Sequence, residues 1–335
     1  MSVTLTDISQ ALGLSVSTVS KALNGYRDVA PETRDRVLSM AQAMGYHPNT
    51  AARNLRRQRT DKIGLLLNTP IMDINDYLVE VMAGSALAAE QLGYNLVLYT
   101  NATDRSEALL RLCRTREVDG VLLIWTHVPD TAIDLLQSEG VPAVVFGRRV
   151  DHPTASYVAP DNYAGMRALM DHLLGLGHRR IGFFGRPALR TTHEDRLAAY
   201  QDALAQAGIP FDPDLVVTTR LEPNSGYLAM QRLLDLPEPP SAVFAFHDGL
   251  ALQAIRAAAE RGLRIPQDVA VAGFDGWRSG LFANPPMTTV QLPLREMGQR
   301  AVSILLERIE HPDLPPVREI FPVELVVRAS TAGDV

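Results

Sequence analysis

Polar, charged and aromatic side chains follow the apolar runs of this 335-residue chain at the points where those runs end. Carboxylates and guanidinium groups together hydrogen-bond to vicinal hydroxyls, and a tryptophan face packs on the apolar face of a pyranose. The set therefore favours a mono- or oligosaccharide as ligand. The candidate ligand-binding residues are Asp73, Trp125, Arg148, Arg190, Thr192, Arg196, His247, Asp248, Asp275 and Trp277.

Other chemistries fit the same side chains less well. Arg190, Thr192 and Arg196 would also suit a purine, but the pair of aromatic residues needed to sandwich a flat base is not evident. His193-Glu194 and His247-Asp248 are adjacent acid–base pairs, yet no nucleophile motif, metal-ligand spacing or phosphate loop accompanies them. We therefore expect a binding site rather than an enzyme, with a sugar first and a purine second, and no metal or cofactor.

The elements that must position these residues alternate from Lys62 onward between short apolar runs and helical segments. The strand-type runs are Ile63–Leu67, Asn95–Tyr99, Val118–Ile124, Ala143–Phe146, Ile181–Phe184, Leu215–Val217, Ala242–Phe246, Val269–Gly273 and, in the tail, Glu319–Val327. The helical stretches are Tyr77–Leu92, Ser106–Arg114, Thr131–Ser138, Tyr163–Gly175, Glu194–Ala207, Ser225–Leu234, Gly249–Arg261 and Pro293–Glu310. Near-continuous apolar strands separated by helices predict an α/β fold with parallel sheets covered on both faces.

These units are too many for one sheet of usual size, so the pattern predicts two doubly wound lobes. The effector-binding region would span 62–335, with a first lobe of about 62–160 and 293–320. The second lobe would comprise about 161–292 and 321–335. Parallel sheets bind ligands at the carboxyl ends of their strands, so we expect the candidate residues to meet between the lobes.

The amino-terminal run Leu5–Asn24 predicts two short helices joined by a turn at Gly13, with Thr6 and Ser15 as their caps. The inward-facing positions are Ile8, Ala11 and Leu12, then Val19, Ala22 and Leu23, and a third helix after Pro31 adds Val37, Leu38, Ala41 and Met44. Two short helices around a glycine-containing turn are typical of a helix-turn-helix. A plain helical hairpin in an ordinary core is the alternative.

Charge is unevenly distributed along the chain. Residues 1–60 carry eight Lys and Arg against four Asp and Glu, a net charge of +4, within a chain whose formal net charge is −6. The remainder is therefore acidic. A basic head on an acidic body indicates a polyanion-binding module joined to a domain that avoids that polyanion.

The sequence also bears on the compartment. Cys113 is the only cysteine, so no disulfide within the chain is expected and a reducing cytosol fits. The start of the sequence lacks the pattern of a signal peptide, and no apolar run approaches membrane-spanning length. A cytoplasmic protein is therefore expected over the alternative of a solute-binding protein for transport, which would need a signal peptide and no basic head.

Several motifs in order resemble the lactose/galactose-repressor (LacI) family. They are Leu5-Thr6-Asp7-Ile8, the run from Ser15 to Asn24, Glu32-Thr33-Arg34, Gly45-Tyr46-x-Pro48-Asn49, Ala52-Arg53-x-Leu55, Asp161-Asn162, Leu176 to Ile181, Asp195-Arg196 with Tyr200 and Ala203-Leu204, and Gly273-Phe274-Asp275. The resemblance covers nearly the entire chain. It implies a homodimeric transcription repressor with a helix-turn-helix domain at 1–48, a hinge helix and linker at 49–61, and a periplasmic-binding-protein-like effector domain.

In such a module the second helix presents its first turn to the major groove. Val16, Ser17 and Lys21 would face the bases, and Lys21 can donate to guanine O6 or N7. The side chains placed for phosphate contacts are Thr6, Ser15, Thr18 and Asn24. The resemblance further implies that Leu55 wedges into the minor groove, with Asn49 and Arg56 beside it, and that a two-fold dimer reads a pseudo-palindromic operator.

The resemblance also implies that a ligand closing the lobes changes DNA affinity through linkage. We expect a sugar inducer, with a corepressor of opposite sign left open, and Arg196 and Asp275 match positions that contact effectors in the family. Two residues depart from the pattern. Ala30 stands where a capping Ser or Thr is usual, and His247 stands where Asn is frequent, which puts a generic sugar contact there in doubt.

Overall fold

The computed structural model describes residues 3–26, 28–46, 59–67, 75–100, 109, 112, 114–124, 131–186, 190–219 and 222–332. The chain divides into two units, Met1–Arg59 and Thr60–Val335. Each unit has its own apolar core, and we describe them separately. Within the described ranges, no helix combines the length and the apolar character that crossing a bilayer requires.

In its described residues the first unit, which we call the head, has the three helices that the sequence predicts before residue 47. Its helices are α1 (Leu5–Leu12), α2 (Val16–Leu23) and α3 (Pro31–Ala43). Gly13 ends α1 in the left-handed region with φ 66°, a conformation that a side chain disfavours. The core consists of the buried residues Ile8, Val19, Ala22, Val29, Val37 and Ala41. The short turn between α1 and α2 and the shared core together make a helix-turn-helix.

The predicted cap of α1 is wrong by two residues. Thr4, not Thr6, is the N-cap, and its hydroxyl and the Asp7 carboxylate form a reciprocal capping box, in which the Thr4 backbone N–H donates to Asp7 at 2.7 Å. Thr6 lies inside the helix, because a capping pair spaced by three residues outcompetes a lone threonine. The inward face also differs, since Ser9 is buried where Ala11 was expected. Leu38 in α3 is 46% exposed, contrary to its expected core position.

The start of α3 gives a first testable prediction. Ala30 is its N-cap, has extended backbone angles and forms no side-chain cap, while Pro31 occupies the first turn. Ala30→Ser should stabilise the head by about 1 kcal/mol because its hydroxyl would accept a free N–H of the first helical turn. Hydrogen exchange of the head amides in the full chain measures the gain. Ala30→Gly is the control, and equal protection in the Ser variant and the wild type would contradict the prediction.

The second unit contains two six-stranded sheets. The first has the order β11-β5-β4-β3-β1-β2, and all its pairings are parallel. Its strands are β1 (Lys62–Leu67), β2 (Asn95–Thr100), β3 (Gly120–Ile124), β4 (Ala143–Phe146), β5 (Ser156–Pro160) and β11 (Arg318–Phe321). The sequence analysis missed β5, a five-residue strand that follows a turn and begins with the polar residue Ser156. Its carboxyl end leads directly into the second lobe.

The second sheet repeats this order as β12-β10-β9-β8-β6-β7, with only β12 antiparallel. Its strands are β6 (Ile181–Gly185), β7 (Val216–Thr218), β8 (Ala242–Ala245), β9 (Ala270–Asp275), β10 (Thr288–Gln291) and β12 (Glu324–Val326). β10 was also missed. The tail run predicted as one strand is two strands, one in each sheet, because Pro322 interrupts the ladder between them.

Helices pack on both faces of each sheet, which confirms the predicted two-lobed α/β class. They are α4 (Asp76–Gln91), α5 (Thr131–Ser138), α6 (Asn162–Gly175), α7 (Arg190–Gln206), α8 (Ser225–Leu234), α9 (Asp248–Glu260), α10 (Leu294–Glu310) and the short α11 (Ala329–Ala332), with 3₁₀ turns at Pro213–Leu215 and Arg278–Phe282. Asp161 caps α6, as expected, by accepting from the Ala164 N–H at 2.9 Å. The chain crosses between sheets three times: after β5, after β10 and between β11 and β12.

Candidate functional site

The order of the strands determines which side chains meet. In the second sheet β7 lies on one side of β6 and β8 on the other, and β2 and β3 flank β1 in the same way in the first sheet. The loops after β6 and β8 therefore lead to opposite sides of the sheet and leave a crevice at the carboxyl ends of these two strands. Arg186 directly follows β6, and His247 comes two residues after β8. Their side chains meet there, with Arg186 Nη1 3.3 Å from His247 Nε2.

Arg196 is a buried charge at this edge. Its side chain extends from α7 and is 2% exposed. It donates to the Asn162 side-chain oxygen through Nε at 3.0 Å and through Nη2 at 2.8 Å, and Nη1 donates to the Phe246 carbonyl. The guanidinium lies 3.5 Å from the centroid of the Phe274 ring. Burial lowers its pKa to about 10, so the group remains a cation at neutral pH.

Asp275, the last residue of β9, faces Arg196 with 3.6 Å between its Oδ1 and Nη2. Burial raises the pKa of the Asp275 carboxyl to about 7, although Arg196 and Arg186 oppose this shift. The backbone there has a φ of 101°, a region that non-glycine residues rarely occupy and that concentrates at ligand sites. Asp275 therefore exchanges its proton near neutral pH and can either accept or donate a hydrogen bond.

Tyr77 brings the first lobe to this cluster. It lies in the first turn of α4, is 8% exposed, and its hydroxyl is close to Gly147, where an added Cβ would lie 2.4 Å from that oxygen. Burial and the charge of Asp275 raise the pKa of Tyr77, and Arg196 lowers it. The phenol, the carboxyl and the guanidinium thus form one electrostatic group across the two lobes. Tyr77 was missed, although its place at the start of the helix after β1 was a usable signal.

Asp248 has a different part from the one predicted. It is fully buried, and its carboxylate accepts from the Thr289 hydroxyl at 2.7 Å and from the Trp277 backbone N–H at 2.5 Å. Burial raises its pKa well above the usual range. With both oxygens engaged inside the second lobe, Asp248 fixes the turn that carries Trp277 rather than presenting a group to a ligand.

The remaining predicted ligand residues divide into three groups. Arg148 lies just after β4 and is 4% exposed, and Thr192 lies in the first turn of α7 and is 7% exposed. Arg190 begins α7. Asp73 and Trp125 fall outside the described residues. The structure therefore brings together Arg196, Asp275, His247 and Trp277 from the predicted set and adds Arg186, Tyr77 and Asn162, which sequence reasoning missed.

Polar contacts join the lobes beside this cluster. Arg149, after β4, donates from Nε to Asp195 Oδ2 at 3.1 Å, and the Thr191 hydroxyl donates to the Arg149 carbonyl at 3.0 Å. The Ser279 N–H donates to Asp76 Oδ2 at 2.8 Å. The cluster around Arg196 and Asp275 thus lies in a region that the two lobes share.

A second concave region contains none of the candidate ligand residues. An apolar cavity of about 320 Å³ lies in the first lobe among α5, β4 and the segment after α10, with Leu136, Val145 and Leu314 in its wall. None of the candidate residues lines it. Among the described residues, no group of three or more His, Cys, Asp or Glu side chains is placed to hold a metal ion.

The second helix of the head presents the side chains predicted to read DNA. Val16 is 43% exposed, and the Ser15 hydroxyl caps α2 by accepting from the Thr18 N–H at 3.0 Å, as predicted. Lys21 donates to the Asp28 carboxylate at 2.5 Å, with both side chains about half exposed. A phosphate or base must therefore compete with Asp28 for the Lys21 ammonium.

The other side chains predicted to contact DNA differ in whether they already form a hydrogen bond within the head. Asn24 uses its side-chain amide to donate to the Ser20 carbonyl at 2.7 Å, which engages one donor at the end of α2. Ser17 and Thr6 are exposed on α2 and α1. The predicted hinge residues Asn49, Leu55 and Arg56 lie outside the described residues.

Comparison with known protein families matches both units of the chain. Residues 4–49 match the family of bacterial regulatory proteins described as the lacI family, and residues 170–331 match a periplasmic binding protein-like domain. The first match covers α1 to α3 and the second covers most of the lobe that carries Arg196 and Asp275.

Characterised relatives match over almost the full length. The HTH-type transcriptional regulator CelR of Thermobifida fusca is 35% identical over 332 residues, covering 98% of each chain. The HTH-type transcriptional repressor PurR of Mannheimia succiniciproducens is 33% identical over 331 residues, also covering 98% of each.

Solved structures agree with these matches. A CelR–cellobiose complex has a TM-score of 0.76 at 33% identity and covers 98% of this chain and 99% of its own. The Lac repressor dimer bound to operator and the anti-inducer ONPF has a TM-score of 0.85 at 26% identity and covers 99% of each chain.

Proposed function

The chain belongs to the lacI family of bacterial regulatory proteins. We propose that this DNA-binding transcriptional repressor is controlled by a sugar that binds between the two lobes and acts as an inducer. The observation that carries this proposal is the Arg196–Asp275 pair, which Tyr77 of the other lobe approaches. A ligand between these groups would contact both lobes at once. Its binding would therefore favour the arrangement of the two lobes in which both sets of contacts form.

A sugar fits this site for chemical reasons. Sugar hydroxyls both donate and accept, which matches a carboxyl that titrates near neutral pH beside a permanent cation. CelR, one of the relatives, has been solved with cellobiose, so a β-linked disaccharide is the first ligand to test.

A purine corepressor is the alternative, supported by the PurR relatives. A flat base is held best between two separated aromatic faces. Two aromatic rings in the described part of the cleft, His247 and Trp277, stack on each other with centroids 5.4 Å apart, which leaves no space for a base between these two rings. This contact favours the sugar over the purine.

We propose that the protein acts as a homodimer on a pseudo-palindromic operator. Val79 and Leu87 are exposed on the same face of α4, and Leu281 and Phe282 are 48% and 77% exposed on the 3₁₀ turn that Ser279 links to the first turn of α4. Large apolar side chains on neighbouring elements are typical of a protein interface. A second copy, two-fold related, would cover them, and the Lac repressor neighbour is a dimer on operator.

The test uses a duplex selected from a random-sequence pool by the full-length protein. At fixed salt, cellobiose or another sugar is expected to weaken binding of the selected duplex by about five- to 150-fold, the usual range of coupling between two sites. A random duplex is the control. A purine that strengthens operator binding would favour the corepressor alternative, and a protein with no preference among duplexes would contradict the regulator proposal.

A further inference from the structure

One ion pair in the head joins the second helix to the segment that follows it. The Lys21 ammonium, in the last turn of α2, donates to Asp28 Oδ2 at 2.5 Å, and both side chains are about half exposed. Hydrogen bonding to the carboxylate raises the pKa of Lys21, and the same contact lowers the pKa of Asp28, so both groups are charged at neutral pH. The lysine that is expected to read DNA thus has an anion beside it.

The backbone around Asp28 is anchored independently of this ion pair. The Tyr26 N–H donates to the Lys21 carbonyl at 3.1 Å, and the Tyr26 carbonyl accepts from Arg34 Nη2 at 2.7 Å. The Val29 N–H donates to the same carbonyl at 3.4 Å, and the Val29 side chain is buried in the core of the head. The carboxylate of Asp28 is therefore held beside α2 by the segment that carries it.

Stability does not explain why an acid stands at this position. An ion pair between two half-exposed side chains contributes little to folding, because both charges are well solvated when they are apart. A carboxylate on a DNA-reading surface also opposes binding, since duplex DNA is a polyanion. The pair therefore points to a role in which a negative charge next to Lys21 is an advantage.

A neighbouring carboxylate acts differently on the two kinds of acceptor that DNA offers to a lysine. A phosphate is an anion, so a contact between Lys21 and a phosphate brings two like charges together, which is unfavourable. The edge of guanine is neutral and offers two acceptors, O6 and N7. An ammonium has three N–H donors, and Asp28 engages one of them. Two donors remain for a guanine, so of the two competitors for Lys21 the guanine is the one that Asp28 admits.

We propose that Asp28 is a specificity-determining residue, which keeps Lys21 from binding phosphates and leaves two of its donors for a guanine. The proposal rests on the proposed function, because it assumes that the protein selects among duplexes. Binding to random DNA comes almost entirely from phosphate contacts, which every sequence provides. Asp28 therefore lowers the affinity for random DNA more than the affinity for the operator.

The test removes the carboxylate and keeps its shape. Asp28→Asn is compared with wild type and with Asp35→Asn, which removes the same charge from an exposed position on α3. Titrations of the full-length protein measure the dissociation constants of the selected duplex and of a random duplex at several salt concentrations. The ratio of the two constants at fixed salt reports specificity.

We expect Asp28→Asn to strengthen binding of the random duplex by about two- to five-fold, the value of one exposed ion pair. The slope of the logarithm of the binding constant against that of salt should steepen by about 0.9 for this duplex, because Lys21 gains one phosphate contact. The selected duplex should gain less, so the specificity ratio falls. Asp35→Asn should leave that ratio unchanged.

Lys21 shows whether the effect depends on the ion pair. In a Lys21→Ala background, Asp28→Asn should act on the two duplexes as Asp35→Asn does, because no ammonium is left to release. A specificity ratio that Asp28→Asn does not change would overturn the proposal and leave the proposed function intact. Weaker binding of both duplexes would also overturn it, since the carboxylate would then support the head rather than restrain Lys21. A wild-type protein without preference among duplexes would contradict the proposed function instead.

Discussion

Arg196→Met is expected to abolish the effect of the effector on operator binding while leaving operator affinity without effector within a few-fold of wild type. The guanidinium provides the permanent charge of the site and holds Asn162, the Phe246 carbonyl and Asp275 in place. Methionine keeps the packing against Phe274 but offers no donor. A repressor that cannot be induced would result, because the head and its capping hydrogen bonds are in the other unit of the chain.

The same substitution should destabilise the effector domain by about 3–5 kcal/mol, since removing one member of a buried ion pair leaves the other without a partner. Adding Asp275→Asn should recover part of this loss, because an amide tolerates burial without a counter-charge. Urea unfolding followed by circular dichroism measures both values. Arg256→Met is the matched control: Arg256 is an exposed arginine paired with Glu260 on α9. An Arg196→Met protein that still releases operator on addition of sugar would contradict the assignment of the site.

The sequence predicted the parts of this fold that depend on local pattern. The helix-turn-helix and α8 at Ser225–Leu234 have clear periodicity, and the buried strands β3 and β8 are nearly continuous apolar runs. Strands β5 and β10 carry Ser156 and Thr288, which are buried only because tertiary partners satisfy their hydroxyls: Ser156 accepts from the Val317 N–H, and Thr288 donates to the Arg328 carbonyl. Those partners are 161 and 40 residues away along the chain, and no local pattern indicates them.

The site was predicted in part for the same reason. Positions after strand ends follow from topology, so His247 and Asp275 could be selected from the sequence. Which of two neighbouring residues faces the ligand depends on the turn, and the sequence could not show that Asp248 points into the lobe toward Thr289. Arg186 was not predicted, although it directly follows β6 and the same rule of strand ends applies to it.

Two single variants should shift the pH dependence of stability away from that of wild type in opposite directions. Asp275 has a pKa of about 7 in the folded protein against 3.8 unfolded, so the folded state binds the extra proton and stability falls as pH rises from about 4 to 7. His247 has a pKa of about 3 folded against 6.5 unfolded, so the unfolded state binds the extra proton and stability rises over about pH 3 to 6.5. In wild type the two contributions largely cancel.

Substituting one of these two side chains leaves the pH dependence due to the other without its opposing contribution. As pH rises from 4 to 6.5, His247→Phe should lose up to about 3 kcal/mol more of its free energy of unfolding than wild type does, and Asp275→Asn up to about 3 kcal/mol less, at 1.36 kcal/mol per pKa unit. The pKa of Asp248 is also raised by burial. This carboxyl therefore lowers the stability of wild type and of both variants as pH rises. The measurement is the free energy of unfolding in urea at pH 4.5, 5.5 and 6.5, with Asp171→Asn, an exposed partner of Arg167, as the control. Two variants whose curves run parallel to wild type would show that neither side chain titrates as its burial requires, and the electrostatic description of the cleft would then have to be replaced.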